Sequence, residues 1–179
     1  FEILDINLGC PVPKVVKENA GSSWLKEERQ DELYDTIKSI VEISSKPVSV
    51  KIRLGWDEGS INVVNTCKLL EKAGVAMITI HGRTRSQYYL GKADYEYIRL
   101  AKEAVKIPII ANGDIDSLEK AIEVLEYTKA DGLMLGRGAL GNPKLVTQIV
   151  EYLETGNIVK KPIKEEQIEE PIILHTDQG

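Results

Sequence analysis

The sequence predicts an α/β fold, specifically part of a (β/α)8 barrel built on a parallel sheet. Short apolar segments typical of strands alternate five times with amphipathic segments typical of helices, which is the pattern of consecutive βα units. The strand segments are continuously apolar, as expected when both faces of a sheet are covered. An open doubly wound sheet is the alternative. The barrel is favoured, because the glycine-rich turns follow the last two strands and no Gly-x-Gly-x-x-Gly turn follows the first.

The composition is that of one ordinary domain without a membrane segment. The chain has 179 residues, a net charge of −5 and 42% hydrophobic residues, enough for a single core. No apolar run reaches the roughly 18 residues of a membrane span. The two cysteines, Cys10 and Cys67, indicate a reducing compartment rather than a disulfide framework, so we expect a cytoplasmic protein without a membrane partner. The mild acidity argues against coating nucleic acid by bulk charge but allows a local basic groove.

The first strand leads into the residue that we predict to be the most reactive. Residues 1–8 are largely apolar and include β-branched residues, and we expect the strand to end at Gly9 and Pro11, because proline has no N–H to donate to a ladder. Cys10 then lies at the carboxyl end of a parallel strand, where barrel enzymes hold their active sites. A buried, inert cysteine is the alternative.

The remaining elements continue the alternation of helices and strands. Gly74 is placed to end a helix, Ser117 to cap one, and Pro143 to start the last one. We expect helices over residues 30–44, 61–73, 94–105 and 143–153, a further helix after Ser117, and strands over residues 48–54, 77–80, 107–111 and 131–135.

Five βα units account for residues 1–155. A closed barrel has eight strands, so if the fifth strand here is barrel strand 8, the five units correspond to barrel strands 4–8 and strands 1–3 are missing. Residues 156–179 are highly charged, and Pro171 interrupts any helix that begins there. We expect this segment to be a tail without a core of its own.

Each predicted strand end brings a different polar group to one rim of the barrel. Such convergence at the carboxyl face is typical of a ligand site. Gly113 and Gly136 would let backbone N–H groups approach an anion, so a phosphate group is the predicted ligand there. The converging residues are Asn7, Cys10, Lys51, Arg53, His81, Arg83, Asn112, Asp114 and Arg137.

Each feature also has a structural alternative. A strand-end histidine such as His81 is about as often a structural residue as a ligand contact, Asn-Gly-Asp is a common turn, and Arg137 could form a salt bridge. We expect no metal site, because the chain has only two histidines, His81 and His175, and His175 lies in the charged tail. A nucleophile pair of Cys10 and His81 lacks an evident third residue to orient it.

Five motifs of the chain carry a family resemblance. They are DINLGCPVPKVVK (5–17), VKIRLGW (50–56), IHGRTR (80–85), ANGDI (111–115) and MLGRGALGNP (134–143). Over about residues 1–155, they resemble the bacterial-type tRNA-dihydrouridine synthases. The combination is specific, since Asn-x-Gly-Cys-Pro and His-Gly-Arg-Thr rarely occur together elsewhere.

The resemblance implies an enzyme that uses FMN, reduced by NADPH, to saturate the C5–C6 bond of selected uridines in tRNA. Cys10 would donate the proton to C5, and Asn7 would lie near the substrate base. Arg83 and Arg85 would meet RNA phosphates. The implied cofactor contacts are Lys51 and His81 at the flavin ring or ribityl chain, and Asn112, Gly113, Asp114, Gly136 and Arg137 at the ribityl and phosphate end.

Two parts of the family pattern have no counterpart in this chain. These are the first three barrel strands and the C-terminal helical domain, so residues 156–179 would be the start of that domain or a replacement for it. We expect the 179-residue chain alone to be inactive. Two other functions remain open, a flavin-dependent reductase of free pyrimidines on the same barrel and an inactive RNA-binding remnant.

Overall fold

A parallel β-sheet organises the computed structural model, which describes residues 1–156. Each connection between paired strands contains a helix, as crossovers between parallel strands usually do. The strands are β1 (Leu4–Asn7), β2 (Val48–Arg53), β3 (Met77–His81), β4 (Ile109–Asn112) and β5 (Gly132–Met134). The α-helices are α1 (Pro13–Lys17), α2 (Gln30–Ile43), α3 (Val63–Lys72), α4 (Glu96–Ala104), α5 (Leu118–Thr128) and α6 (Lys144–Thr155).

The order of the strands decides between the two architectures that the sequence left open. Neighbours in the sheet are also neighbours in the chain, in the order β1-β2-β3-β4-β5, and every pairing is parallel. A doubly wound sheet would reverse its order at a switch point, and no reversal occurs within the described residues. The predicted partial (β/α)8 barrel is confirmed, with the sheet open between β1 and β5.

One face of the sheet packs against the helices and forms the core. Successive helices from α2 to α6 contact each other in chain order, as in the outer ring of a barrel. Burial of apolar surface in this layer is the main stabilising term of the fold. The sheet contributes Val50, Ile52, Ile78, Ile80, Ile109 and Ala111, which are all fully buried.

The opposite face of the sheet carries polar side chains. Because side chains alternate along a strand, Lys51 and Arg53 share one face of β2. The pairing register places Asn7 beside Lys51, Arg53 beside His81, and His81 beside Asn112. Polar groups from four strands therefore meet at the carboxyl end of the sheet.

Three predicted helix boundaries agree with the structure. The Ser117 hydroxyl accepts a hydrogen bond from the backbone N–H of Lys120 at 3.1 Å and caps α5. Gly74 follows the end of α3 with a φ of +95°, in the left-handed region that glycine favours. Pro143 directly precedes α6.

The structure also contains short helical segments that the sequence pattern did not indicate. They are α1 and the 3-10 helices at Gly21–Leu25, Glu27–Arg29 and Arg137–Ala139, and each is too short to show an apolar period. The first strand was predicted too long, because its pairing with β2 starts at Leu4. The predicted tail lies outside the described residues, except for Gly156. Among residues 1–156, no helix combines the length and apolar character needed to span a membrane.

Replacing Ile52 by alanine should destabilise the fold by about 2–5 kcal/mol, because removing most of a fully buried side chain of β2 would leave a cavity in the core. Val146→Ala on α6 is the matched control, since Val146 is 46% exposed, and it should change the free energy of unfolding by less than about 0.5 kcal/mol. Urea unfolding monitored by circular dichroism measures both. Equal effects of the two variants would contradict the assignment of this face to the core.

Candidate active site

A cavity of about 690 Å³ opens at the carboxyl end of the sheet. Its size is within the range of small-molecule and cofactor sites. The predicted site residues on its wall are Asn7, Cys10, Lys51, His81, Asn112, Gly113, Asp114, Gly136 and Arg137. The structure therefore brings together all the predicted site residues except Arg83 and Arg85.

The loop that carries Cys10 is held by hydrogen bonds on both sides. The Asn7 side-chain oxygen accepts a bond from the Gly9 N–H at 2.9 Å. The Cys10 carbonyl accepts bonds from the Ser22 N–H at 3.0 Å and from the Ser22 hydroxyl at 2.8 Å. Gly21 has a φ of +56°, and a Cβ there would lie 2.7 Å from the Cys10 carbonyl oxygen, so this close approach requires glycine. Cys10 is thus a partly exposed thiol on a fixed loop.

Arg53 ties the Cys10 loop to the loop after β3. Its side chain is buried, and Nε donates to the Gly9 carbonyl at 2.9 Å. Nη1 donates to the carbonyls of Thr84 at 2.9 Å and Tyr88 at 2.7 Å. The sequence placed Arg53 at the rim without a specific role. The structure shows that it connects two loops, a role that only the folded chain reveals.

Lys51 is a half-buried cation on the cavity wall. Burial, together with the neighbouring charge of Arg53, lowers the pKa of Lys51 to about 8 against an opposing effect of Asp5. An anionic or electron-rich group beside Lys51 would favour its charged form. Among residues 1–156, the Lys51 ammonium group forms no ion pair within 4 Å, and Asp5 is the acidic residue that acts on it from farther away.

His81 is neutral at physiological pH. Burial, followed by the positive charges of Arg53, Lys51 and Arg83, lowers the pKa of His81 to about 3, although Asp114 opposes the shift. The Arg83 Nη1 lies 3.4 Å from His81 Nε2. A guanidinium can only donate, so this contact favours the tautomer with the proton on Nδ1. His81 is thereby suited to hydrogen bonding and not to acid catalysis.

The Asn112-Gly113-Asp114 turn packs tightly against β3 and β5. Asn112 donates through Nδ2 to the Met134 carbonyl at 2.7 Å. Gly113 has a φ of +118°, and a Cβ there would lie 2.9 Å from His81 Cδ2. The Tyr95 hydroxyl donates to the Gly113 carbonyl at 2.7 Å. The turn is therefore fixed from both sides.

The carboxylate of Asp114 is held by protein groups. Arg83 donates to it through Nη1 at 2.8 Å and Nη2 at 2.7 Å, and the Ala93 N–H donates at 2.8 Å. Burial would raise the pKa of Asp114, but the bonds from Arg83 and Ala93 and the charges of Arg83 and Arg137 hold it below its usual value. Asp114 lines the cavity as an ionised, well-bonded group.

The structure does not support the prediction that Arg83 meets RNA phosphates. The Arg83 side chain is only 2% exposed. Besides Asp114, it donates to the carbonyls of Leu90 at 3.0 Å and Gly91 at 2.6 Å, and its last N–H points to His81. All five N–H groups of its guanidinium have protein acceptors, so none is left for RNA.

Arg85 lies outside the cavity, against a tryptophan. Its guanidinium carbon is 4.4 Å from the Trp56 ring centroid, a cation–π distance. The side chain is partly exposed, and its Nε has no hydrogen-bond partner among residues 1–156. Contact between Arg85 and RNA phosphates remains a prediction.

Tyr89 is a cavity residue that the sequence reasoning missed. Its side chain is 53% exposed, and its ring centroid lies 4.4 Å from the Arg137 guanidinium carbon and 6.3 Å from the His81 ring. It belongs to the long loop between β3 and α4, where no strand end marks it in the sequence. The one feature of the sequence that could have indicated a ligand contact is that Tyr89 lies in a loop rich in tyrosine.

The site is electrostatically suited to an anionic ligand. Three cations line it, Lys51, Arg53 and Arg137, against the carboxylates of Asp114 and Asp116. The charge of Asp114 is matched by buried Arg83. A Cβ at Gly136 would meet no atom within 4 Å, so its backbone is open to a ligand. Fold and site together define a barrel-type α/β domain with a cavity rich in cationic side chains at the carboxyl ends of its strands.

The chain belongs to the dihydrouridine synthase family. The model of the family described as "Dihydrouridine synthase (Dus)" matches residues 1–175. This confirms the family to which the sequence motifs pointed.

Curated relatives match almost the whole chain. A "Probable tRNA-dihydrouridine synthase" of Rickettsia conorii is 47% identical over 168 residues, which is 94% of this chain and 50% of the relative. The tRNA-dihydrouridine synthase B of Pseudomonas syringae pv. tomato is 42% identical over 174 residues, 97% of this chain and 51% of the relative. That of Vibrio vulnificus is 47% identical over 165 residues, 92% of this chain and 51% of the relative. The chain spans about half the length of these relatives.

Replacing His81 by asparagine should make the protein less sensitive to acid. The folded protein keeps His81 neutral down to about pH 3, whereas the unfolded chain binds this proton near pH 6.5. The wild type therefore loses stability as the pH falls from 6.5 towards 3, by at most about 1.4 kcal/mol per pH unit from this residue. The free energy of urea unfolding at pH 7 and at about pH 5 measures this loss, which should be smaller in the variant. The same loss in both proteins would count against a buried, neutral His81.

Proposed function

We propose that this chain forms the flavin-binding and catalytic part of an FMN-dependent tRNA-dihydrouridine synthase, which uses NADPH to reduce the C5–C6 bond of uridines in tRNA. The observation that carries the proposal is that Cys10, Lys51, His81 and Arg137 line one cavity. Membership of the dihydrouridine synthase family supports the type of reaction. Because the chain spans about half of its relatives, the activity is proposed for the full-length protein.

The donor groups of the cavity fit FMN. Arg137 and the open backbone at Gly136 suit a phosphate group. The Asn112 Nδ2 donates to the Met134 carbonyl on β5, so the side-chain oxygen of Asn112 is available to accept a bond from a ribityl hydroxyl. Lys51, which is protonated below about pH 8, suits the electron-rich edge of the ring. When bound, FMN supplies the hydride, and the protein supplies binding and orientation.

Cys10 is the residue that we propose to give a proton to C5 of the uridine. Asn7 and Ser22 hold its loop from either side, and Arg53 holds the adjacent Gly9 carbonyl. A proton donor must be fixed within hydrogen-bond reach of its acceptor. His81 also lines the cavity, but its pKa of about 3 leaves it without a proton to donate as an acid at neutral pH. The thiol is therefore the better donor.

Access to Cys10 requires the uridine to leave the RNA stack. The reacting carbons of a uridine are hidden in folded RNA, so the base must swing out into the cavity before it reacts. The cavity opens at the rim formed by the strand-end loops, which is where tRNA would have to approach. Contact with tRNA should weaken as salt increases, because phosphate contacts release counterions.

The proposal is tested with the full-length protein. We expect it to carry FMN, seen as flavin absorbance, and to form dihydrouridine when given NADPH and unmodified tRNA. Mass spectrometry of digested tRNA measures the product. Protein without flavin, or protein that reduces free uridine but not tRNA, would contradict the proposed function.

Replacing Cys10 by alanine should separate cofactor reduction from RNA reduction. The variant should still bind FMN and accept electrons from NADPH, because a thiol at C5 plays no part in that step. Formation of dihydrouridine should fall by about a hundredfold or more, as is typical when a general acid is lost. Stopped-flow absorbance follows the flavin, and product analysis follows the tRNA.

The second cysteine provides the control for this variant. Cys67 is buried in α3, so Cys67→Ala should keep both reactions. Loss of FMN from the Cys10→Ala protein would assign Cys10 a structural role instead of a catalytic one.

A further inference from the structure

Asp114 is shared by two arginines that come from different loops. Its Oδ1 accepts a bond from Arg83 at 2.8 Å and lies 3.6 Å from Arg137 Nη2, and its Oδ2 accepts bonds from Arg83 and from the Ala93 N–H. Asp114 also has a φ of +53°, which is uncommon for residues other than glycine. The carboxylate is thus held in one place between the loops after β3 and β5.

The two arginines differ in how far their donors are already used. Arg83 is 2% exposed, and all of its N–H groups have protein acceptors. Arg137 is 60% exposed. Among residues 1–156, its guanidinium has only the long contact with Asp114 and the stacking contact with Tyr89. Arg137 therefore keeps its donors available on the cavity side.

The charges of Asp114, Arg83 and Arg137 do not cancel. The carboxylate of Asp114 lies between two guanidiniums, so this group of three carries one net positive charge beside the cavity, whose wall also includes Asp116. The bidentate pair with Arg83 is the stronger of the two interactions, because its bonds are short and parallel. Without Arg83, Arg137 would be the only cationic partner of this carboxylate among residues 1–156. The pair would then be neutral, and the attraction for an anion would be lost.

We propose that Arg83 is a positioning residue for the anion site, which binds Asp114 bidentately and so keeps the Arg137 guanidinium free for the phosphate group of the ligand. Arg83 touches no ligand and acts through Asp114. The inference rests on the proposed function, because FMN is the ligand that would carry the phosphate.

A comparison of FMN with riboflavin isolates this effect. The two molecules share the ring and the ribityl chain, and only FMN has the phosphate group. In the full-length apoprotein, Arg83→Met should weaken FMN binding by about tenfold or more relative to riboflavin. General damage to the cavity would weaken both ligands alike, since the lost bonds to Leu90 and Gly91 support the loop for either ligand. Titration of flavin fluorescence measures both dissociation constants.

Removal of the carboxylate gives the complementary result. Adding Asp114→Asn to the Arg83→Met variant should restore the preference for FMN over riboflavin that Arg83→Met loses, because Arg137 no longer faces a carboxylate. Asp114→Asn alone should raise that preference above the wild-type value. This single variant keeps the inference testable even if Arg83→Met does not fold.

An arginine remote from the cavity serves as the control. Arg99 on α4 pairs with Glu96 and Glu103, and Arg99→Met should leave the ratio of the two affinities unchanged. An unchanged ratio in Arg83→Met, or no recovery in the double variant, would overturn the inference while the proposed function stands. A wild-type protein that binds neither flavin would overturn both.

Discussion

The parallel register of the strands is the constraint on which the rest of the structure depends. It places the ends of β1 to β4 at one level, so that Asn7 lies beside Lys51, and Arg53, His81 and Asn112 follow one another across the sheet. The alternation of side chains then sends these polar groups to one face and the apolar core to the other. A shift of one residue in any one strand would exchange the two faces of that strand, and the cavity would lose the polar side chains that this strand contributes.

Two buried arginines hold the loops that this register brings together. Arg53 bonds to carbonyls of the Cys10 loop and of the loop after β3, and Arg83 bonds to Leu90, Gly91 and Asp114. Burial of a guanidinium is costly unless its N–H groups find acceptors. The loops are therefore held in the conformations that supply those acceptors. The bonds of the two arginines therefore fix loops that have little apolar surface of their own, and these loops form a preorganised wall for a ligand site.

The same arrangement divides the basic residues of the rim into two groups. Arg53 and Arg83 are used within the protein, whereas Lys51 and Arg137 keep their charge available in the cavity. His81 stays neutral because burial and the charges of Arg53, Lys51 and Arg83 lower its pKa. A cavity with available positive charge, a neutral imidazole and one fixed thiol is suited to an anionic ligand.

The sequence by itself determined the class of fold, the family and most of the residues on the cavity wall. Apolar periodicity, helix caps and strand-end motifs are local properties, so they can be read from neighbouring residues. The tertiary structure alone decided the order of the strands and the different roles of Arg53, Arg83 and Arg137, three arginines in similar sequence positions. The partners of Arg53 and Arg83 lie as far as 44 and 31 positions away in the chain. Burial and hydrogen-bond partners at such separations arise only when the strand ends are brought together, which is why local sequence patterns could not distinguish these side chains.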